Sequence, residues 1–195
     1  MMGDWVEVGQ VVKLQIHRRH LRDLDGGEYR LDPLAEVSTL RITADGPIGF
    51  DGASWIVDCH HRYHPQASSH RRARALSIGF TSHYEDIWKR FTPIPLGAGG
   101  ENLIVSSDEV ISEGELDGGI RIGTPQASIL VSGAKVAEPC VAFTRLVTGR
   151  SEASAHELAD DREHLRNGIR GFVMPLDGID LFDVVPGSPV AIRAA

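Results

Sequence analysis

Short strand-like segments separated by glycine and proline turns are the feature that most limits how this chain can fold. Residues 9–17 alternate apolar and polar side chains, as a half-buried strand does. Similar short segments follow at 36–42, 75–80, 103–105, 119–123, 128–131, 169–174 and 190–193. With 21 glycines and 10 prolines, this pattern predicts a mainly β fold, a closed or nearly closed β-barrel with a few peripheral helices.

Only two segments carry a helical signal. Residues 82–90 begin with Ser82 and Glu85, which have the spacing of a capping box. Residues 151–167 form the longer candidate, with Asn167 as the stop signal before a glycine. We therefore predict two helices, one short and one long.

Length, charge and cysteine content narrow the class of protein. The 195 residues predict a single domain over 1–195. A net charge of -7 and a pI near 5.7 argue against nucleic acid or an anionic membrane as the main partner. No apolar run is long enough to span a bilayer, and the N-terminus lacks the pattern of a signal peptide. Two widely separated cysteines predict a reducing, cytoplasmic location.

One of these cysteines, Cys140, is a candidate functional thiol. It follows Pro139 and Glu138, downstream of the predicted strand over 127–132. Because proline ends a strand's hydrogen-bond ladder, the thiol is predicted at a backbone turn where it could meet a ligand. The alternative is a buried thiol that acts as a small apolar side chain, which is common for cysteine.

Four motifs around Cys140 occur in a specific order. They are Gly-Gly-Glu-Asn-Leu-Ile-Val at 99–105, Leu-Asp-Gly-Gly-Ile-Arg-Ile-Gly at 116–123, Glu-Pro-Cys at 138–140 and Gly-Ile-Arg-Gly-Phe-Val at 168–173. Together they resemble the MOSC domain, which is found at the C-terminus of molybdenum cofactor sulfurases and as small standalone bacterial proteins. The resemblance is best over 96–192.

The N-terminal half is less similar to this family. Ile-Gly-Phe-Asp-Gly at 48–52 stands where the family has a Gly-x-x-Gly-Asp-x-His stretch, but Ala-Ser-Trp follows it. The basic run at 71–74, before the predicted strand 75–80, resembles the family's basic residue ahead of a Val-Ser-apolar strand.

The resemblance implies a MOSC-like β-barrel with Cys140 as the catalytic residue, in one of two roles. Cys140 ligates molybdenum in a pterin cofactor, in an oxidoreductase acting on N-hydroxylated compounds with an electron-transfer partner. Alternatively, Cys140 carries a persulfide received from a cysteine desulfurase, since pyridoxal phosphate is not expected in this chain. Both roles require the thiolate. A third possibility is a barrel that binds an anion or a protein without chemistry.

A pterin cofactor carries a phosphate, so its site should offer cations and backbone N–H groups. The predicted cofactor-binding residues are Arg71, Arg72, Arg74, Gly99, Gly100, Glu101, Asn102 and Arg170. The arginines would supply the cations, the glycine loop 97–100 the N–H groups, and Arg170 an anion contact near Cys140. Solvated arginines and a surface ion pair at Arg170 are the alternatives.

A second cluster contains the other cysteine. Cys59, His60, His61 and His64 could ligate zinc or another divalent metal. However, the spacing matches no recognised motif, and adjacent residues of a strand point to opposite faces. A polar loop or a wall facing the cofactor is the favoured interpretation. The sequence contains no Gly-x-Ser-x-Gly elbow, P-loop or dinucleotide-binding fingerprint.

Overall fold

The computed structural model describes residues 4–22, 27–67 and 73–193, and most of its regular structure is β. The strands are β1 (Trp5–His17), β2 (Leu34–Glu36), β3 (Thr39–Thr43), β4 (Gly46–Phe50), β5 (Trp55–Val57), β6 (Leu76–Phe80), β7 (Leu103–Val105), β8 (Ile120–Thr124), β9 (Ala127–Val131), β10 (Lys135–Val136), β11 (Phe172–Met174), β12 (Phe182–Val184) and β13 (Pro189–Arg193). The helices are α1 (Thr81–Arg90), α2 (Val141–Thr148) and α3 (Ala159–Arg166). The predicted mainly β class with few helices is confirmed.

The strands form two sheets. The larger has the order β10-β11-β6-β7-β1-β13-β8-β9, with β2 paired to β1, and the smaller has the order β12-β3-β4-β5. Strand β1 pairs with β13, β7 and β2 in turn, and its register shifts near Gly9. A Cβ at Gly9 would lie 1.8 Å from the Ser106 carbonyl oxygen, so glycine permits this close approach.

A closed barrel is not confirmed. Among the described residues, no ladder joins the edge strands β9 and β10, and the smaller sheet has its own separate order. A buried apolar cluster nevertheless joins the sheets, since it contains Ile16 and Ile78 of the larger sheet together with Leu40 and Ile42 of the smaller one. The two sheets therefore share a core without sharing a continuous ladder.

A second apolar cluster lies beneath the helices. Ile87 of α1, Phe143 and Val147 of α2 and Leu165 of α3 are buried with Ile104 of β7. This packing attaches the helices to one side of the larger sheet. It also fixes the N-terminus of α2, which begins immediately after Cys140.

The short helix predicted over 82–90 is confirmed as α1 (Thr81–Arg90), but its predicted capping box is wrong, because no side chain caps the N-terminus. Instead of capping it, the Ser82 hydroxyl contacts Ser107 and the Glu109 carbonyl. The segment predicted as one helix over 151–167 is helical only over Ala159–Arg166, with Asn167 as the C-cap.

Helix α2 was not predicted, because its apolar and β-branched residues are also typical of strands. Burial of its apolar face decides the helical conformation here. The predicted strand 169–174 is shortened to Phe172–Met174, because the Gly171 N–H bonds back to the Gly168 carbonyl at 2.6 Å in a turn. Within the described ranges, no helix is long and apolar enough to cross a membrane.

Candidate functional site

The candidate site is a cavity of about 780 Å³ that brings together distant parts of the chain. Its walls come from the end of β1, the loop 99–101, the segment 137–140, strands β6 and β11, and helix α3. A volume of this order is typical of small-molecule sites. The sequence-predicted residues that line it are Arg74, Gly99, Gly100, Glu101, Cys140 and Arg170.

Cys140 is the N-cap residue of α2. Its backbone is extended (φ -82°, ψ 160°), and its sulfur accepts a hydrogen bond from the Phe143 N–H at 3.4 Å. The side chain is half-buried and lines the cavity. The predicted position at the end of the strand over 127–132 is therefore corrected: β9 ends at Val131, the short β10 follows, and the thiol begins a helix. There the exposed N–H groups of the first turn favour negative charge on a ligand atom.

Arg170 lines the same cavity as Cys140. Its guanidinium lies 4.9 Å from the centre of the Phe143 ring, and Nη1 donates to the Glu138 carbonyl. Although burial acts to lower the pKa of Arg170, the charges of Tyr29 and Cys140 raise it overall. Its Nε is buried and has no hydrogen-bond partner within the described part of the chain. Arg170 thus keeps one buried donor without a partner.

Two further arginines line the same cavity. Arg74 is exposed. Arg162 of α3 is half-buried, and its Nε donates to the Pro139 carbonyl at 3.3 Å. Arg162 escaped prediction because nothing in its own segment distinguishes it from a solvated helical arginine. Arg71 and Arg72, which were predicted as cofactor ligands, lie outside the described residues.

Glu101 places a buried carboxyl group in the cavity wall. The Tyr84 hydroxyl donates to its Oε2 at 2.8 Å, and the glycines at 79 and 99 leave room for the side chain. Burial raises the pKa of Glu101 to about 7. A carboxyl group with such a pKa can accept or donate a proton near neutral pH.

The prediction that the glycine loop offers free N–H groups to a cofactor phosphate is wrong. The Gly99 N–H donates to the Tyr84 hydroxyl oxygen at 3.0 Å, and the Gly100 N–H donates to the Gly97 carbonyl at 3.0 Å. Since both groups are bonded within the protein, the loop lines the cavity as a scaffold. Because the loop folds around the Glu101 side chain, the N–H groups of Gly99 and Gly100 point toward acceptors inside the protein.

Asn102 is buried and does not line the cavity. Its amide Nδ2 donates to Asp58 Oδ2 at 3.0 Å and to the Gln15 carbonyl at 3.2 Å, while its Oδ1 accepts from Ser77. The hydrogen-bonding groups of the Asn102 amide are thus all engaged in joining β1, β6 and the segment before Cys59. Its position does not match the predicted contact with a cofactor.

A histidine and cysteine cluster contributes to the cavity wall. His17, Cys59 and His60 each offer a ligand atom within 4.8 Å of the others, and His17, His20 and His60 line the cavity. The backbone brings these residues together, because the Cys59 N–H donates to the His17 carbonyl at 2.8 Å. The sequence interpretation missed His17 and His20, since they lie about 40 residues before Cys59.

His61 and His64 do not belong to this cluster. The His61 ring stacks against Tyr63 with centroids 5.7 Å apart. His64 Nε2 lies 3.2 Å from the Arg18 carbonyl. The predicted set of Cys59, His60, His61 and His64 is therefore corrected. The segment is a turn rather than a strand, so alternation along the chain does not decide which side chains converge.

Asp58 holds the cluster in place. Its Oδ1 lies 2.8 Å from His60 Nδ1, and its Oδ2 accepts the His17 N–H at 2.7 Å. Although burial opposes ionisation, the hydrogen bond from His60 and the charges of His17 and His60 keep the pKa of Asp58 well below its usual range. Burial lowers the pKa of His17 to about 4, although the negative charge of Asp58 acts to raise it.

These features define a mainly β protein with a thiol- and arginine-lined cavity. Neither the protein-family models nor the curated proteins include a match to the chain. Among solved structures, the chain is similar to the crystal structure of the YUAD protein from Bacillus subtilis, at 17% identity over 98% of this chain and 100% of that chain, with a TM-score of 0.57. A hypothetical protein is 16% identical over 96% of this chain and 68% of that chain, with a TM-score of 0.49. The likeness to the YUAD protein is one of fold.

Proposed function

We propose that this chain is a MOSC-type protein that binds the molybdenum cofactor through the Cys140 thiolate, in an oxidoreductase acting on N-hydroxylated compounds. The observation that carries the proposal is the pairing of two groups in one cavity. Cys140, at the N-terminus of α2, and Arg170 both line this cavity, and the Arg170 Nε is buried without a hydrogen-bond partner among the described residues.

The residues present fit the cofactor's chemical groups. A thiolate is a soft ligand suited to a transition metal. Arg74, Arg162 and Arg170 line the cavity and could bind the pterin phosphate, for which arginine is well suited. When bound, the molybdenum centre would supply two-electron redox chemistry. Glu101 would hold or release a proton at the cavity wall, because its pKa is about 7.

A persulfide carrier is the second candidate function. It is favoured by the half-buried position of Cys140, which leaves the sulfur open to the cavity, and by the adjacent cations, which would stabilise a persulfide anion. In this role a cysteine desulfurase would load the sulfur, and an acceptor would remove it. A cavity that only binds an anion, without any chemistry at Cys140, is the remaining alternative.

The test is to purify the protein from a host that makes the molybdenum cofactor. Molybdenum is measured by mass spectrometry, the oxidised pterin by its fluorescence, and sulfur adducts by intact mass. Cys140→Ala is the test variant. His64→Ala, which changes a side chain outside both the cavity lining and the histidine and cysteine cluster, is the control.

About one molybdenum and one pterin per chain, both lost in Cys140→Ala and kept in His64→Ala, are expected. One added sulfur atom on Cys140, without molybdenum, would instead establish the carrier role. Wild-type protein with neither molybdenum nor an added sulfur would overturn both proposals. Molybdenum retained in Cys140→Ala would overturn the role of Cys140 as its ligand.

A further inference from the structure

We propose that His17, Cys59 and His60 form a second metal site that binds a zinc-type transition ion. The site lies in the wall of the cavity, to which His17 and His60 contribute. It is independent of the proposed molybdenum cofactor, because it shares no ligand with that group.

The separations between the ligand atoms fit one small ion. Sulfur and nitrogen ligands of tetrahedral zinc, at about 2.3 and 2.1 Å from the metal, lie roughly 3.3–3.6 Å apart. His17, Cys59 and His60 offer ligand atoms that all lie within 4.8 Å of one another. His20 Nδ1 lies 3.3 Å from Cys59 Sγ, at the edge of this group.

Oxygen acceptors around the cluster orient all three imidazole rings. His17 Nε2 lies 2.6 Å from the Gly100 carbonyl oxygen, and His20 Nε2 lies 3.2 Å from the Gln66 carbonyl oxygen. Asp58 Oδ1 lies 2.8 Å from His60 Nδ1, so His60 Nε2 is the nitrogen left to bind the ion. In metal sites, histidine ligands are held by such outer carbonyl and carboxylate groups, which fix the ring and raise its basicity.

The cluster is also rigidly supported. Asp58 is completely buried, and it accepts hydrogen bonds from the Asn102 amide and from the His17 and His60 backbone N–H groups. One buried carboxylate therefore fixes ligands from two distant segments. This support explains why Asn102 is buried beneath the cavity wall instead of lining it.

The ligand set indicates the class of metal. One thiolate and two imidazoles suit Zn²⁺, or Co²⁺ in its place, and do not suit Mg²⁺ or Ca²⁺, which prefer oxygen ligands. His17 and His60 line the cavity, so the ion would lie in its wall. There it would add positive charge to the cavity.

The test combines metal content with a spectroscopic probe. Zinc is measured in the purified protein, and the protein is then freed of metal with a chelator and titrated with Co²⁺. We expect about one equivalent of Co²⁺ with a thiolate-to-cobalt absorption band and the intense visible bands of tetrahedral coordination. The band should disappear in Cys59→Ser and remain in Cys140→Ser and His64→Ala.

Asp58→Asn should weaken Co²⁺ binding roughly 10- to 100-fold while leaving the number of sites unchanged. Because Cys59 is buried and its variant could unfold, X-ray absorption of zinc-loaded wild-type protein provides a second measurement. One sulfur and two nitrogen neighbours from the protein are expected. No stoichiometric binding by the wild type, a zinc ion surrounded only by oxygen, or a thiolate band lost in Cys140→Ser but kept in Cys59→Ser would overturn the assignment.

Discussion

The buried carboxyl group of Glu101 should make the stability of this protein fall as the pH rises toward neutrality. Burial raises its pKa from 4.5 to about 7, so the folded state binds the proton more tightly than the unfolded state. The stabilising contribution of this proton is fully present below pH 4.5 and is lost between pH 4.5 and about 7. At about 1.4 kcal/mol per pKa unit, the loss is about 3 kcal/mol.

Replacing Glu101 by glutamine removes this titration and keeps an oxygen that can accept the Tyr84 hydrogen bond. Relative to the wild type, Glu101→Gln should therefore gain about 1.4 kcal/mol of stability per pH unit across this window. Above it, the variant should be more stable by about 3 kcal/mol. Urea denaturation from pH 4 to 8.5, followed by fluorescence, measures the free energy of unfolding of both proteins.

The matched control is Glu7→Gln, which changes an exposed carboxylate on β1. Its stability curve should run parallel to that of the wild type. A difference between Glu101→Gln and the wild type that does not change with pH would refute the reasoning. A wild type that gains stability relative to the variant as the pH rises would refute it as well.

Two glycine substitutions test a close contact in the cavity wall and the backbone conformation at the end of α2. Gly99→Ala should destabilise the protein by about 1–3 kcal/mol, because a Cβ there would lie 2.5 Å from Glu101 Oε1. In a double-mutant cycle measured by urea denaturation, this cost should shrink in a Glu101→Ala background, and an unchanged cost would contradict the contact. Gly149→Ala should lower the free energy of unfolding by about 1 kcal/mol, since Gly149 ends α2 at φ +66°. Thermal denaturation measures this loss. The control is Gly114→Ala, which should change little because a Cβ there meets nothing within 4 Å.

Much of the β structure could be predicted from local sequence signals. The alternation over 9–17 predicts most of β1, and the segment predicted at 36–42 overlaps most of β3. These predictions succeed because side-chain alternation and turn chemistry depend on neighbouring residues. The helix over Val141–Thr148 could not be recognised in this way, because its apolar residues are equally typical of a strand. Burial against α1 and α3 selects the helical conformation.

The candidate site was only partly predictable. Cys140 and Arg170 were selected through the order of motifs, and both line the cavity. The glycine loop was also selected correctly as a lining segment, but its N–H groups are bonded within the protein. Hydrogen-bond partners of this kind depend on the surrounding fold and leave no trace in the motif itself.

By itself, the sequence determined the mainly β class, the positions of most strands and the choice of Cys140 as the candidate thiol. Only the tertiary structure decided that this thiol begins a helix, that Arg162 reaches its cavity and that His17 and His20 meet Cys59. The physical reason is that periodicity and turn signals act between near neighbours. The contact of His17 with Cys59 instead depends on a backbone hydrogen bond between distant segments and on the buried Asp58 that holds both.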